Sequence, residues 1–300
     1  MKTTPTIEHV DVWQCPEYIQ GKPGNKIITR HYDIYTTVED RLILQRLPLV
    51  MESAFEAYCQ LANYTSSKTS LNVYFFASRQ QWEDFTLKLV KPNPQEYLQI
   101  KSGAYCYQGN IVAYHIGRKT NFSIVAHEGW HQFRGLIAKG DFPAWLDECI
   151  ACSFESWKEE DRQLIFDAKF NGARLMALKK TIANGKLFSL EQMLRSEPGQ
   201  MVNANEADAY YAQLYSLSRF LHEYDYCYYE LNFRKILIDS IECKWQKEFE
   251  YLPANTRKWN SVAGLEMFKR YVNSDMATAN AQYRSFCLKL AQEARFKQTY

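Results

Sequence analysis

The sequence lacks the features that would mark a membrane-spanning or a secreted protein. No apolar run approaches the roughly 18 residues that a membrane-spanning helix needs, so we expect no integral membrane segment. Residues 1–8 lack the apolar stretch of a secretory leader, which favours a cytoplasmic location unless a leader has been removed.

An excess of charge of either sign is also missing. The 300 residues contain 36 Lys and Arg against 34 Asp and Glu, which gives a formal net charge of +2. This balance creates no strong field that would attract nucleic acid or an acidic membrane surface. We therefore expect no nucleic-acid partner.

The eight cysteines contain a single C-x-x-C pair, Cys149 and Cys152. A zinc ribbon needs a second such pair, and a thioredoxin-like redox site needs surroundings other than the helix predicted here. We therefore interpret most of the cysteines as small buried hydrophobic residues.

The hydrophobic pattern changes along the chain at about residue 120. Strands are predicted at residues 26–35, 71–77, 103–107 and 111–116, of which the last two form a hairpin. Helices are predicted at residues 39–64 and 80–89. Beyond residue 120 every periodic segment predicts a helix, and the charge run at residues 158–162 is interpreted as a solvated helix start.

Strands early in the chain and helices later indicate an α+β fold. We expect an N-terminal mixed sheet with helices, a mostly helical C-terminal lobe and a cleft between the two. The predicted organisation is an N-terminal extension over residues 1–25, an α/β sub-domain over residues 26–140 and a helical sub-domain over residues 141–300.

One short stretch, Ala-His-Glu-Gly-Trp-His at residues 126–131, carries a chemical pattern. It lies in a predicted helix over residues 121–137. At about 100° per residue, His127 and His131 lie some 40° apart on one helix face, so their imidazoles can converge on one metal ion. Glu128 sits beside the first histidine and can reach a metal-bound water without ligating the metal, as in H-E-x-x-H metallohydrolases.

A zinc site of this kind needs a third protein ligand and an open position for water. Glu148 is the candidate, because it follows His131 after 16 intervening residues, enough for a loop and an antiparallel return. Pro143 is well placed in the first turn of the helix that would carry Glu148.

These two segments resemble the gluzincin zinc metallopeptidases, the thermolysin- and aminopeptidase-like clan of the peptidase MA superfamily. The family pattern continues after H-E-x-x-H with W-L-x-E-G-x-A-x-x-F-E, and this chain has "PAWLDECIACSFE". Cys149 stands where the family usually has glycine. Weaker similarity, to a branch of domains of unknown function, extends the match over roughly residues 26–225.

The resemblance implies a zincin-like fold, a bound Zn²⁺ and a role for each matching residue. His127, His131 and Glu148 would ligate the zinc, and Glu128 would be the general base. A tyrosine in "YYAQ" would donate to the developing oxyanion. We assign this role to Tyr211, with Tyr210 as its rival.

The resemblance also implies a carboxylate that partners a ligand histidine and fixes its tautomer. Thermolysin-like members place this carboxylate four residues past the third ligand, but that position is Cys152 here. We therefore assign the role to Glu155, seven residues after Glu148 on the same helical face. Asp147 is interpreted as a solvated neighbour of the ligand.

In gluzincins the edge strand before the zinc helix pairs with the substrate backbone. Residues 111–116 are the candidate strand, with Ala113 and Tyr114 as substrate-binding residues. Aminopeptidases of the clan carry a glutamate near this strand that captures the free amine, whereas no Asp or Glu occurs between Ser102 and Asn121. An endopeptidase is therefore expected rather than an aminopeptidase.

The sequence thus predicts a zinc-dependent metallopeptidase that acts on a peptide or protein substrate. Two alternatives stay open: a catalytically inactive binding protein on the gluzincin fold, and a zinc amidohydrolase acting on a non-peptide amide. The oligomeric state is left open by the sequence.

Overall fold

The computed structural model describes residues 7–19, 23–101, 103–161, 163–253 and 256–293. The chain forms two compact units. The first comprises the chain up to Leu136 together with Glu159–Phe166, and the second comprises Ile137–Lys158 and the chain from Asp167 onwards. Residues 1–6 and 20–22 of the predicted N-terminal extension lie outside the described residues.

The first unit is built on a six-stranded sheet with the order β1-β2-β3-β4-β6-β5. Its strands are β1 (His9–Trp13), β2 (Gly24–Ile28), β3 (Tyr32–Thr36), β4 (Leu71–Phe76), β5 (Ala104–Tyr107) and β6 (Asn110–Tyr114). The pairs β3–β4 and β4–β6 are parallel, and the other three pairs are antiparallel. The predicted mixed sheet is therefore confirmed, and the described part of residues 1–25 contributes β1 and the start of β2 to it.

Among the described residues of the first unit, four helices accompany this sheet: α1 (Arg41–Ala62), α2 (Arg79–Leu89), α3 (Pro94–Leu98) and α4 (Arg118–Ile137), whose last residue belongs to the second unit. The Asp40 side chain caps α1 by accepting the backbone N–H groups of Leu42 and Ile43, and the helix ends at Asn63 in the left-handed conformation. Both are common signals of a helix start and a helix end. The predicted boundaries of α1 and α2 are confirmed within two residues.

The predicted single strand over residues 26–35 is wrong, because the chain turns between β2 and β3. A buried carboxylate holds this turn: Glu52 on α1 accepts the Thr29 hydroxyl at 2.6 Å and the His31 backbone N–H at 2.8 Å. The His31 ring donates Nδ1–H to the same carboxylate at 2.6 Å and stacks on Phe55. The turn contains neither glycine nor proline, so the alternating pattern ran through it without a visible break.

The helix start predicted at residues 158–162 is also wrong. The chain there forms a two-stranded hairpin of β7 (Trp157–Glu160) and β8 (Gln163–Phe166). Asp161 in the turn has φ of 49°, a left-handed conformation that aspartate tolerates better than most residues. Arg162 of the charge run lies outside the described residues. Charged side chains suit a solvated strand as well as a solvated helix, so the charge run could not distinguish them.

Apart from residues of β7, the regular elements described in the second unit are helical. They are α5 (Ala144–Ser153), a 3₁₀ turn (Ala168–Phe170), α6 (Gly172–Ala183), α7 (Leu190–Arg195), α8 (Pro198–Asn203), α9 (Ala207–Cys227), α10 (Glu230–Ile241), α11 (Gln246–Phe249), α12 (Arg257–Tyr271) and α13 (Met276–Gln292). Helix α9 packs against both α5 and α6. Within the described ranges, no helix has the length and apolar character to cross a membrane.

The Glu52 cluster gives a prediction about acid stability. Burial raises the pKa of Glu52, but hydrogen bonds from His31 and Thr29 outweigh it and hold the pKa below its ordinary 4.5. A lowered folded-state pKa adds stability above the unfolded-state pKa, and that stability is lost as the pH falls through the folded-state pKa. We expect Glu52→Gln to lower the free energy of unfolding by about 1–3 kcal/mol at pH 7, with a smaller loss below pH 4.5.

Urea unfolding of wild type and Glu52→Gln at pH 7, 5 and 4 measures this difference. A loss that stays constant over the three pH values would contradict the role assigned to the Glu52 charge.

Candidate metal centre

Helix α4 carries the H-E-x-x-H motif, and its own side chains attach it to the sheet. The Gln132 amide donates Nε2–H to the backbone carbonyls of Asn72 at 2.9 Å and Gly109 at 2.6 Å. Near the start of the helix, the side-chain Oδ1 of Asn121 accepts the backbone N–H of Ile116 at 2.9 Å. Contacts at both ends therefore fix the rotation of α4, and with it the direction of the motif's side chains.

The structure brings His127 and His131 together as predicted from their spacing. Their Nε2 atoms lie 3.3 Å apart, and their rings are 5.1 Å apart at 70° to each other. Zinc binds imidazole nitrogen at about 2.0–2.1 Å, so one ion in contact with both atoms would have an N–Zn–N angle of about 104–111°. This matches tetrahedral coordination. The same distance allows an N–H···N hydrogen bond when no metal is bound.

Glu128 follows the first histidine and is half-buried. Its carboxylate affects Tyr58 on α1: burial raises the pKa of Tyr58 well above its ordinary value, and the Glu128 charge raises it further. Tyr58 is therefore a neutral hydroxyl donor, and it donates to the backbone carbonyl of Ala126. Tyr58 thus contacts the helix turn that carries His127, through the carbonyl of the residue before it.

Gly129, inside the motif, is required by the same tyrosine. A Cβ at this position would lie 2.7 Å from Tyr58 Oη, closer than side chains tolerate. Tyr58 is fully buried and packs edge-on against Trp130 and at a tilt against Phe133, so its hydroxyl has little freedom to move aside. No role in the site was predicted from the sequence for either Gly129 or Tyr58. A glycine within a helix is a signal of close packing that could have indicated this contact.

Helix α5, in the other unit, carries Glu148, which is half-buried. Trp145 orients this helix by donating Nε1–H to the Gly264 carbonyl at 3.0 Å. Cys149, which stands where the gluzincin pattern has glycine, is fully buried with its thiol 3.4 Å from the Leu146 carbonyl, and burial raises its pKa well above its ordinary value. A thiol of this kind does not readily become a metal-binding thiolate. The assignment of Glu148 as the third ligand stays a prediction.

Glu155 follows α5 and lies in a buried hydrogen-bond network. It accepts Arg174 Nη2–H at 2.6 Å on one carboxylate oxygen and Nε–H at 2.7 Å on the other. The Asn171 amide adds a hydrogen bond of 2.9 Å. The role predicted for Glu155, partnering a ligand histidine, stays a prediction. No sequence pattern pointed to Arg174, because it lies 19 residues from Glu155 and matches no motif.

The two candidate tyrosines on α9 have different surroundings. Tyr210 is fully buried, and its hydroxyl donates to the Ser196 carbonyl at 3.2 Å. Burial raises the pKa of Tyr210 well above its ordinary value, and nearby acidic groups, Glu148 among them, raise it further. Tyr211 is half-buried, and the Arg174 guanidinium lies over its ring, 5.1 Å from the centroid. Tyr210 is thus a core residue of its unit, with its hydroxyl already hydrogen-bonded.

The prediction that residues 111–116 form an edge strand is wrong. Strand β6 lies inside the sheet, between β4 and β5. Ala113 is paired with Phe75 on one side and Ala104 on the other, and Tyr114 is paired with Phe76. Both residues are buried, and the strands on either side of Ala113 already pair with it within the protein. The edge strand on this side of the sheet is β5.

Neither a comparison with protein-family models nor a comparison with curated proteins finds a match to this chain. The gluzincin resemblance therefore depends on the two short motifs and on the convergence of His127 and His131.

The contact between Gly129 and Tyr58 generates a prediction with an internal control. We expect Gly129→Ala to lower the free energy of unfolding by about 1–3 kcal/mol, because the added methyl group overpacks against Tyr58. Gly135→Ala, on the same helix, meets nothing within 4 Å. It should instead stabilise the protein by up to about 1 kcal/mol through its helix propensity.

Thermal and urea unfolding of the two variants measure the contrast. Tyr58→Phe removes the obstructing oxygen, so Gly129→Ala should cost much less in that background. An equal cost of Gly129→Ala with Tyr58 and with Phe at that position would contradict the proposed clash.

Proposed function

We propose that this protein is a zinc-dependent metallopeptidase with a zincin-like fold. The observation that carries the proposal is the convergence of His127 and His131: their Nε2 atoms are 3.3 Å apart on one face of α4. Two neutral imidazoles at this separation suit a tetrahedral zinc ion. The intervening Glu128, held on the same turn, supports hydrolytic chemistry rather than a purely structural metal site.

The third zinc ligand in this proposal is Glu148. Its support comes from the sequence, in the match of "WLDECIA" to the family pattern that follows H-E-x-x-H. Two histidines and one glutamate leave one coordination position for water, the arrangement of a catalytic zinc site rather than a structural one. Glu155 is proposed to partner one of the ligand histidines.

The chemistry proposed is the hydrolysis of an amide bond. When bound, zinc lowers the pKa of its water to about 7 and polarises the scissile carbonyl. Glu128 accepts a proton from the attacking water and delivers it to the leaving amine. Tyr211 donates its hydroxyl hydrogen to the carbonyl oxygen as negative charge develops there, and the loss of one such donor typically costs about 2.7–4 kcal/mol of transition-state stabilisation.

The choice of Tyr211 over Tyr210 is supported by what each side chain contacts. Tyr210 donates its hydroxyl to the Ser196 carbonyl and is fully buried, so using it would require breaking that bond. Tyr211 is half-buried on the same helix.

The proposed substrate-binding element is strand β5, because Ala113 and Tyr114 lie on β6 inside the sheet. An extended peptide can add to the outer edge of β5 by backbone hydrogen bonds, with alternate side chains on the two faces. No carboxylate lies between Gly103 and Asn121 to neutralise a free α-amine. The proposed specificity is therefore that of an endopeptidase.

Metal analysis and a peptide cleavage screen on matched variants test the proposal. Wild type should bind one zinc per chain and cleave members of a proteome-derived peptide library at near-neutral pH. Glu128→Gln should keep the zinc and lose at least about 100-fold in kcat, because the general base is gone. Asp147→Asn, next to the proposed ligand, is the control and should keep both zinc and activity.

Retained cleavage in Glu128→Gln would contradict the assignment of the base. A wild type that binds zinc and cleaves no peptide, but hydrolyses a small non-peptide amide, would favour the amidohydrolase alternative. A wild type that binds no zinc would contradict the proposal as a whole.

A further inference from the structure

Arg174 on α6 occupies a position between two residues of the proposed chemistry, all within the second unit. On one side it makes a two-pronged pair with Glu155, with Nη2–Oε1 and Nε–Oε2 distances of 2.6 and 2.7 Å. On the other side its guanidinium covers the face of the Tyr211 ring at 5.1 Å. The arginine thus connects the carboxylate after α5 with the tyrosine on α9.

The pairing with Glu155 fixes the arginine in place. The Glu155 side chain is 8% exposed and that of Arg174 is 26% exposed, so water has limited access to the hydrogen bonds between them. The Asn171 amide holds Glu155 from a second direction at 2.9 Å. Because a planar guanidinium bound through two parallel hydrogen bonds cannot rotate without breaking both, its orientation is set by Glu155.

A permanent cation over the Tyr211 ring follows from this arrangement. Burial lowers the pKa of Arg174, but the Glu155 charge and hydrogen bonds outweigh it and raise the pKa above its ordinary value. The charged guanidinium is therefore held against the electron-rich ring face, an attractive cation–π arrangement. It restrains the ring while contacting its face.

We propose that Arg174 is a positioning residue that holds the Tyr211 ring in the orientation from which its hydroxyl donates to the substrate. This inference rests on the proposed function, in which Tyr211 is the oxyanion donor. The physical basis is that a hydrogen-bond donor in catalysis must be fixed before charge develops, and a freely rotating ring would lose part of its effect.

A buried arginine elsewhere in the same unit offers a matched comparison. Arg219 on α9 is 3% exposed and pairs with Glu223 at 2.7 Å and Glu293 at 2.9 Å. It also contacts a tyrosine, but by donating to the Tyr215 hydroxyl at 3.2 Å. Arg219→Lys is therefore a matched control, since it perturbs a buried arginine–carboxylate–tyrosine group on the same helix without touching Tyr211.

The first test is a double-mutant cycle on a peptide identified in the cleavage screen. Arg174→Lys keeps the charge and a partner for Glu155 but loses the planar fork. We expect it to lower kcat about tenfold with KM changed less than about twofold. In a Tyr211→Phe background the same change should alter kcat less than about twofold, because the residue through which Arg174 acts is already absent.

The second test does not need activity. In protein with ¹³C-labelled tyrosine rings, NMR relaxation reports the ring order of Tyr211, assigned with Tyr211→Phe. Arg174→Lys should lower the order of this ring, in zinc-free and zinc-loaded protein alike, whereas Arg219→Lys should leave it unchanged.

Equal losses of kcat from Arg174→Lys in the wild-type and Tyr211→Phe backgrounds would overturn the inference, since they would indicate a general structural role. An unchanged Tyr211 ring order in Arg174→Lys would overturn it as well. If wild-type protein binds zinc but cleaves no peptide, the proposed function fails, and the ring order alone then decides whether Arg174 positions Tyr211.

Discussion

The fixed rotation of helix α4 is the constraint on which the proposed chemistry depends. Two imidazoles can share one ion only if their nitrogens stay about 3.3 Å apart on the same side of the helix. Gln132 holds the helix to two backbone carbonyls of the sheet region, and Tyr58 holds the carbonyl of Ala126 directly before the first histidine. The spacing of the two proposed ligands is therefore held by contacts outside the motif, and each of these contacts can be altered without removing a histidine.

In the second unit, hydrogen bonds likewise fix the polar side chains around Glu155. Glu155 is buried, but Arg174 and Asn171 satisfy its oxygens, so the charge has partners rather than an unfavourable apolar environment. Buried groups that are fully paired keep one conformation. The Glu52 cluster in the first unit follows the same rule, although it holds a turn of the sheet rather than a residue of the proposed site.

The sequence was informative where one local pattern decided the structure. Helical spacing identified α1 and α4, and the four-residue separation of His127 and His131 predicted their convergence. The predictions were wrong where residues distant in the chain determine the structure. Glu52 holds the turn after β2. The order of the strands places β6 inside the sheet and β5 at its edge. Gln132 and Arg174 were missed for the same reason, because their partners lie far away in the chain and no spacing rule connects them.

X-ray absorption at the zinc K-edge, on protein loaded with one equivalent of zinc, tests the central claim most directly. A centre made by His127, His131 and Glu148 predicts only nitrogen and oxygen neighbours at about 2.0–2.2 Å, with the multiple-scattering signature of two imidazoles. A sulfur neighbour at about 2.3 Å would assign the metal to cysteine instead. That result, or zinc binding that survives the replacement of both histidines by alanine, would contradict the account.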